Sequence, residues 1–146
     1  MGMTDEAFTR EFEQLTLPPE YFDHRGHLRL AWLYLRQYPL EEAIARVASG
    51  IREYASSLGA TDKFQHTLTE AIVRIMAARP ALATAGTLEG YLAENPDLVT
   101  DIQAVLSRYY SAGLLQSPQA RSGFVDPDLE PLPAIVSPGS GENKGV

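Results

Sequence analysis

His24, His27 and His66 are the only histidines in the chain. Imidazole is the side chain that both moves protons near neutral pH and ligates transition metals. Two residues separate His24 from His27. At the start of a helix, i and i+3 positions share one face, so the two rings can chelate a single ion, as the Glu-x-x-His helical sites do. His66 follows Lys63-Phe64-Gln65, and the pattern places it one turn into a later helix. Glu70 lies four residues on and is the candidate fourth ligand. Three neutral imidazoles suit Fe or Cu best, with Zn, Mn or Ni next. Three protein ligands leave coordination open to water or substrate, which makes such a site catalytic. The plainer reading is that histidines at helix starts are surface residues, and His-x-x-His by itself is a weak motif.

Other residues could serve the same site. Lys63 lies one turn before His66, where it binds an anionic substrate or is simply exposed. Thr69 can share the face of His66 and bond a ligand or water, whereas Thr67 fits a threonine bonding back to its own helix. Tyr110, beside Tyr109 and Ser111, is a candidate acid or outer-shell donor. Arg121 is the natural bidentate partner of a carboxylate. It anchors a substrate, or it pairs with Asp126 or Asp128 to pin the chain end, and the second is favoured. Trp32 and Tyr34 read as core.

These residues need helices to position them, and helix signals recur along the chain. Thr4 caps a first helix in which Phe8, Phe12 and Leu15 share a face. Pro18-Pro19 ends it in an extended connector. The spacing predicts a second helix from about Asp23 to Gln37. A third opens at Pro39, with Glu41 and Glu42 in its first turn, carries Leu40, Ala43, Ile44, Val47, Ile51 and Tyr54, and stops at Gly59. A fourth runs from Thr61 or Asp62 to Ala78, with Asp62 and Gln65 as a weak capping box. Residues 81–86 form a small-residue connector, and Thr87 caps a short helix ending at Glu94. Asn95-Pro96 reads as a cap and first turn for a helix bearing Leu98, Ile102, Val105, Leu106 and Tyr109. Ser117-Pro118 opens one more turn.

Pro127, Pro131, Pro133 and Pro138 then forbid helix. The fold class is therefore all-α: one helical domain over residues 1–133, a bundle of about five to six helices with a proline-rich irregular C-terminal segment. Residues 134–146 have the composition of a flexible tail.

Composition narrows the chemistry. The 146 residues fit one domain with its own core. A net charge of -7 repels phosphate backbones and anionic bilayers, so nucleic-acid and membrane partners are disfavoured. With no cysteine, disulfides, zinc-thiolate sites, iron–sulfur clusters and thiol catalysis are excluded. The stretch from Thr4 to Glu13 is too polar for a signal peptide, and cytoplasm is the default location. The chain carries no Gly-rich phosphate loop, G-x-S-x-G, H-E-x-x-H or dinucleotide fingerprint. The paired Glu-x-x-His motifs of a di-iron bundle are also missing.

The stretch Phe22-Asp23-His24-Arg25-Gly26-His27-Leu28-Arg29-Leu30-Ala31-Trp32 resembles a family of small uncharacterised bacterial helical proteins that read F-x-H-x-x-H-x-x-x-A. Lys63-Phe64-Gln65-His66-Thr67-Leu68-Thr69 is similar to their second block, K-[FY]-x-H-x-T. A third similar block runs from Tyr110-Ser111 through Ala120-Arg121 to Asp126-Pro127-Asp128-Leu129-Glu130-Pro131-Leu132-Pro133. The resemblance implies that the three histidines belong to one recurring design and brings no activity with it.

The leading expectation is a mononuclear metal-dependent enzyme acting on a small organic molecule, with His24, His27 and His66 holding the ion and oxygen-dependent chemistry favoured. The alternatives are a non-catalytic helical module that binds a partner protein, and a small-molecule carrier or sensor. A homodimer is the commonest default assembly.

Overall fold

The computed structural model describes residues 3–134. The expected tail, apart from Ala134, lies outside the described residues. Ten α-helical segments follow one another and no strand occurs among the described residues: α1 Asp5–Glu13, α2 His24–Gln37, α3 Leu40–Ser57, α4 His66–Ala78, α5 Ala81–Thr84, α6 Leu88–Glu94, α7 Pro96–Thr100, α8 Ile102–Ser107, α9 Ala112–Leu115 and α10 Pro118–Ser122. The fold is all-α. Its segment count exceeds the five to six expected because several connectors close into single helical turns. Pro19–Tyr21 and Thr61–Lys63 are 3-10 turns. No helix among the described residues is long and apolar enough to cross a membrane.

Helices α2, α3 and α4 pack against one another, α1 lies on α3, and α10 lies on α4. Phe8, Leu28, Leu30, Ala43, Ala71, Met76, Tyr91 and Leu98 are fully buried at the centre. Each fully buried large apolar side chain contributes about 2 kcal/mol over exposure, against roughly 1 kcal/mol for a helix cap. Packing therefore holds the bundle, while caps decide where each helix begins.

The caps act locally. The Thr4, Asp23, Thr87 and Ser117 side chains accept from the backbone N–H groups of Ala7, Gly26, Gly90 and Ala120. Pro39 precedes α3, and Gly59 closes its end with φ 72°.

Elsewhere the structure departs from the sequence expectation. Helix α1 ends at Glu13, and Leu15 takes the left-handed φ of 64°. The Thr16 N–H donates back to the Glu11 carbonyl at 2.8 Å, a helix-closing bond. Leu15 is thereby 42% exposed, and Leu17 is buried instead. Pro18-Pro19 leads into a 3-10 turn rather than a fully extended connector. Asn95 does not cap α7: its side-chain oxygen accepts from Arg79 and its amide donates to the Tyr91 carbonyl. The helix expected after Pro96 breaks at Asp101, whose φ of -133° is not helical, and continues as α8.

Candidate functional site

The site is built on the first turn of α2. Asp23 Oδ1 accepts the Gly26 N–H at 2.9 Å, which starts the helix at His24. Gly26 is there because the Tyr21 carbonyl lies against it; a Cβ at this position would sit 2.2 Å from that oxygen. The close approach folds the Pro19–Tyr21 turn under the helix start and brings Phe22 beside His27, with ring centroids 4.0 Å apart. Phe22 in turn packs on Phe12 and Tyr54, so the platform under His27 is part of the core.

Each of these two histidines has one ring nitrogen committed to a main-chain carbonyl. His24 Nε2 lies 2.7 Å from the Leu98 carbonyl, across on α7. His27 Nδ1 lies 2.8 Å from the Asp23 carbonyl. A carbonyl only accepts, so each of these nitrogens carries the proton. In the neutral ring His24 Nδ1 and His27 Nε2 are then bare, and no protein group among the described residues engages either. Burial pushes the His27 pKa below its ordinary 6.5, and His24 adds to the effect. His27 is thus held neutral, with a lone pair to offer.

Both rings line a cleft of about 380 Å³ between α2, α3 and α4. Ala31, Val47, Ile51, Leu68, Ile72 and Val73 give it apolar walls, and Lys63, Phe64, Gln65 and Thr69 complete the rim. The volume falls in the range of small-ligand pockets, and an apolar wall with a few polar groups is their usual make-up.

His66 does not join the pair. It is the first residue of α4 rather than one turn inside it, because Gln65, not Asp62, is the cap. The Gln65 side-chain oxygen accepts the Leu68 N–H at 2.7 Å, while its amide is held by the Leu115 carbonyl at 2.6 Å. Started there, α4 aims His66 along its own surface: Nε2 lies 3.2 Å from Glu70 Oε1, and Nδ1 is buried without a partner. The other Glu70 oxygen pairs with Arg74 at 2.8 Å, and Arg74 also reaches Glu41. The Glu70 carboxylate is therefore spent on its own helix. Among the described residues no three His, Asp or Glu side chains come together as a metal-holding group, so the expected convergence of His24, His27 and His66 with Glu70 is absent from the geometry.

The remaining candidates separate in the same way. Lys63 is exposed on the cleft rim. Thr69 reaches the cleft wall, but its hydroxyl bonds back to the Gln65 carbonyl at 3.0 Å. The two threonines have exchanged their expected parts, for it is Thr67 that leaves its helix: fully buried, it donates to the Gly123 carbonyl and accepts from the Val125 N–H. Tyr110 is buried and donates to the Val125 carbonyl at 2.7 Å. Burial, then the charges of Asp126 and Glu70, push its pKa up to about 12, so it serves as a pin and stays protonated. Arg121 does not pair with Asp126 or Asp128; it donates to the Asp62 carbonyl at 2.6 Å. Asp128 instead accepts from the Ser111 backbone and hydroxyl. Trp32 and Tyr34 are core as expected, and Tyr34 donates to Glu13 at 2.5 Å.

The packing roles of Gly26 and Phe22 and the apolar wall from α3 and α4 are features of the cleft that the sequence expectation does not contain. A glycine inside the first turn of a helix is the available signal for a close backbone approach. The wall carries no local signal, because it exists only once α3 and α4 meet. The chain matches no protein-family model, no curated protein and no solved structure, so function is read from this geometry.

Proposed function

We propose that the cleft between α2, α3 and α4 binds a small organic molecule and that His27 takes a hydrogen bond or a proton from it. The observation that carries this reading is the matched state of the two histidines: one nitrogen of each is tied to a carbonyl, and the bare nitrogens belong to rings on the wall of an apolar cleft. A ligand O–H or N–H that meets His27 Nε2 finds an acceptor already oriented by Asp23. If the proton transfers, the imidazolium keeps its Nδ1–H bond to the Asp23 carbonyl, and the deprotonated ligand atom remains beside it. The same site serves as a general base in an enzyme or as a recognition group in a carrier.

The test is a small-fragment screen followed by NMR of the histidine rings and of the Leu68 and Ile72 methyl groups. Support is a fragment that shifts His27 and both methyls along one saturation curve and loses that effect in His27→Gln. Fragments that bind only elsewhere, or none at all, overturn the reading.

A second reading keeps a transition metal, Fe or Cu before Zn, Mn or Ni, on His24 and His27 alone. It is favoured by the carbonyl bonds behind each ring, the arrangement that orients imidazole ligands. Two protein ligands leave the rest of the coordination to water and to the bound molecule. Metal analysis of tag-free protein, after reconstitution with each ion, decides it. Near-stoichiometric metal, kept in His66→Ala and lost in His24→Ala and His27→Ala, supports a two-histidine site, and no metal in the parent protein removes it.

A further inference from the structure

Resting on the cleft reading above, we infer that the ligand is an amphipathic carboxylate: an apolar chain or ring in the cleft, with its acid head at the Lys63 rim.

Charge distinguishes this rim from the rest of the surface. The chain is acidic, with 19 Asp and Glu against 12 Lys and Arg, so a cation has carboxylates to choose from. Arg25, Arg29, Arg46, Arg74, Arg79 and Arg108 each take one. Among the described residues Lys63, Arg52 and Arg121 do not, and all three stand around the short Asp62–Phe64 segment. Lys63 is on the cleft rim. Arg52 lies over the Phe64 ring, 5.1 Å from its centroid. Arg121 holds the Asp62 carbonyl and shares with Lys63 a second depression beside the rim. Arg10 and Arg36 also lack a carboxylate, but they line a separate groove with Trp32.

The cleft itself assigns the head to this rim. Its walls are apolar along α3 and α4, so the body of the ligand is apolar apart from the one O–H or N–H that His27 takes. His27 spends its Nδ1–H on the Asp23 carbonyl and offers a bare Nε2, which accepts and therefore repels a carboxylate oxygen. The acid head must go to a donor, and Lys63 is the one cationic side chain among the lining residues. Two carboxylates oppose it locally, Asp23 on the cleft and Asp62 beside the rim. Both keep their charge, and the three cations around the Asp62–Phe64 segment, Lys63, Arg52 and Arg121, outnumber them by one. A singly charged head fits this balance better than a doubly charged phosphate.

The experiment compares octanoate, octanol and octylamine by titration, with the backbone amides of Ala31, Ile51 and Leu68 as reporters. Octanoate should bind about tenfold more tightly than octanol, the worth of one charge-assisted hydrogen bond, and more tightly than octylamine, whose ammonium Lys63 repels. Lys63→Gln should bring octanoate down to octanol, and Lys63→Arg should keep the preference. Lys63 is exposed, so a matched thermal melt checks that both variants fold. If octanol moves the same amides as strongly as octanoate does, the cleft is a binding site and the acid-head inference falls. It falls equally if the preference survives in the triple variant Arg52→Gln, Lys63→Gln, Arg121→Gln. If none of the three probes moves the cleft amides, the cleft reading falls with it.

Discussion

The starts of α2 and α4 use the same kinds of residue in opposite ways. At the start of α2, His24 and His27 each bond a carbonyl with one nitrogen and leave the other bare beside a cleft. At the start of α4, His66 turns to Glu70, Glu70 is shared with Arg74, Thr67 bridges Gly123 and Val125, and Tyr110 holds the Val125 carbonyl. There Thr67 and Tyr110 fasten the proline-rich segment, while His66, Glu70 and Arg74 bond along α4 itself and the one unpartnered atom, His66 Nδ1, is buried away from the cleft lining. Leu129 and Asp128 continue the fastening onto Tyr109 and Ser111. The contrast separates two roles that residue type alone cannot. A polar cluster whose groups are spent on one another holds the fold, whereas one that keeps an oriented, unspent atom beside an apolar cleft is equipped to meet a ligand.

The largest effect that tests this contrast is at Gly26. The Tyr21 carbonyl, 2.2 Å from where a Cβ would stand, is main chain and cannot rotate aside. Gly26→Ala should therefore cost about 3 kcal/mol, the upper end for overpacking, and should displace both histidines. Gly113→Ala is the control, since nothing lies within 4 Å of its Cβ and it sits within α9; urea unfolding should find it as stable as the parent or more stable by up to about 1 kcal/mol. A Gly26→Ala protein of parental stability would break the claim that this contact builds the cleft end.

Next comes the fastening end. Thr67→Val keeps the shape but leaves the Gly123 carbonyl and the Val125 N–H without their partner. The cost should be about 2 kcal/mol. Amide exchange at Val125 should rise while the cleft amides of α2 keep their protection. Loss of protection at both ends together would show that the two regions are one cooperative unit.

A smaller effect compares the histidines directly. His27→Gln loses the stack on Phe22 and the oriented acceptor; it should cost about 1 kcal/mol in stability and weaken a cleft ligand about tenfold. His66→Gln should cost a similar about 1 kcal/mol through its Glu70 bond and leave ligand affinity unchanged. Equal losses of affinity would erase the distinction between the ends.

What is legible in the sequence follows the range of the deciding contact. Thr4, Asp23, Thr87 and Ser117 announce their helices because each bonds an amide three residues on. The α2 spacing places His24 and His27 on one helix start for the same reason. His66 escapes a local reading because Gln65 is held by Leu115, fifty residues away, and that distant bond selects the cap. Asn95 has the local setting of a cap and is drawn off by Arg79. Thr67 and Thr69 have near-identical local settings, and only the return of the chain at Gly123 and Val125 tells them apart. Local bonds can be read from local sequence; the cleft and the fastened end are both made by chain returns that no local pattern encodes.

The smallest predicted effect is the dependence of stability on pH, and it isolates His27. Burial lowers its folded-state pKa below the ordinary 6.5, so the unfolded chain takes up the proton first. Between 6.5 and the lower folded value the unfolded state binds more protons, and stability falls as pH falls. The contribution is fully present above 6.5, lost as pH drops through that window, and flat again below it. One proton sets the limit, so the slope due to His27 cannot exceed about 1.4 kcal/mol per pH unit. Urea unfolding of the parent and of His27→Gln across this range should give two curves whose difference carries that slope. A difference that is level through the window would mean that His27 is as solvated in the folded protein as in the unfolded chain. The cleft end would then lose the feature that sets it apart, a neutral imidazole held ready beside an apolar wall.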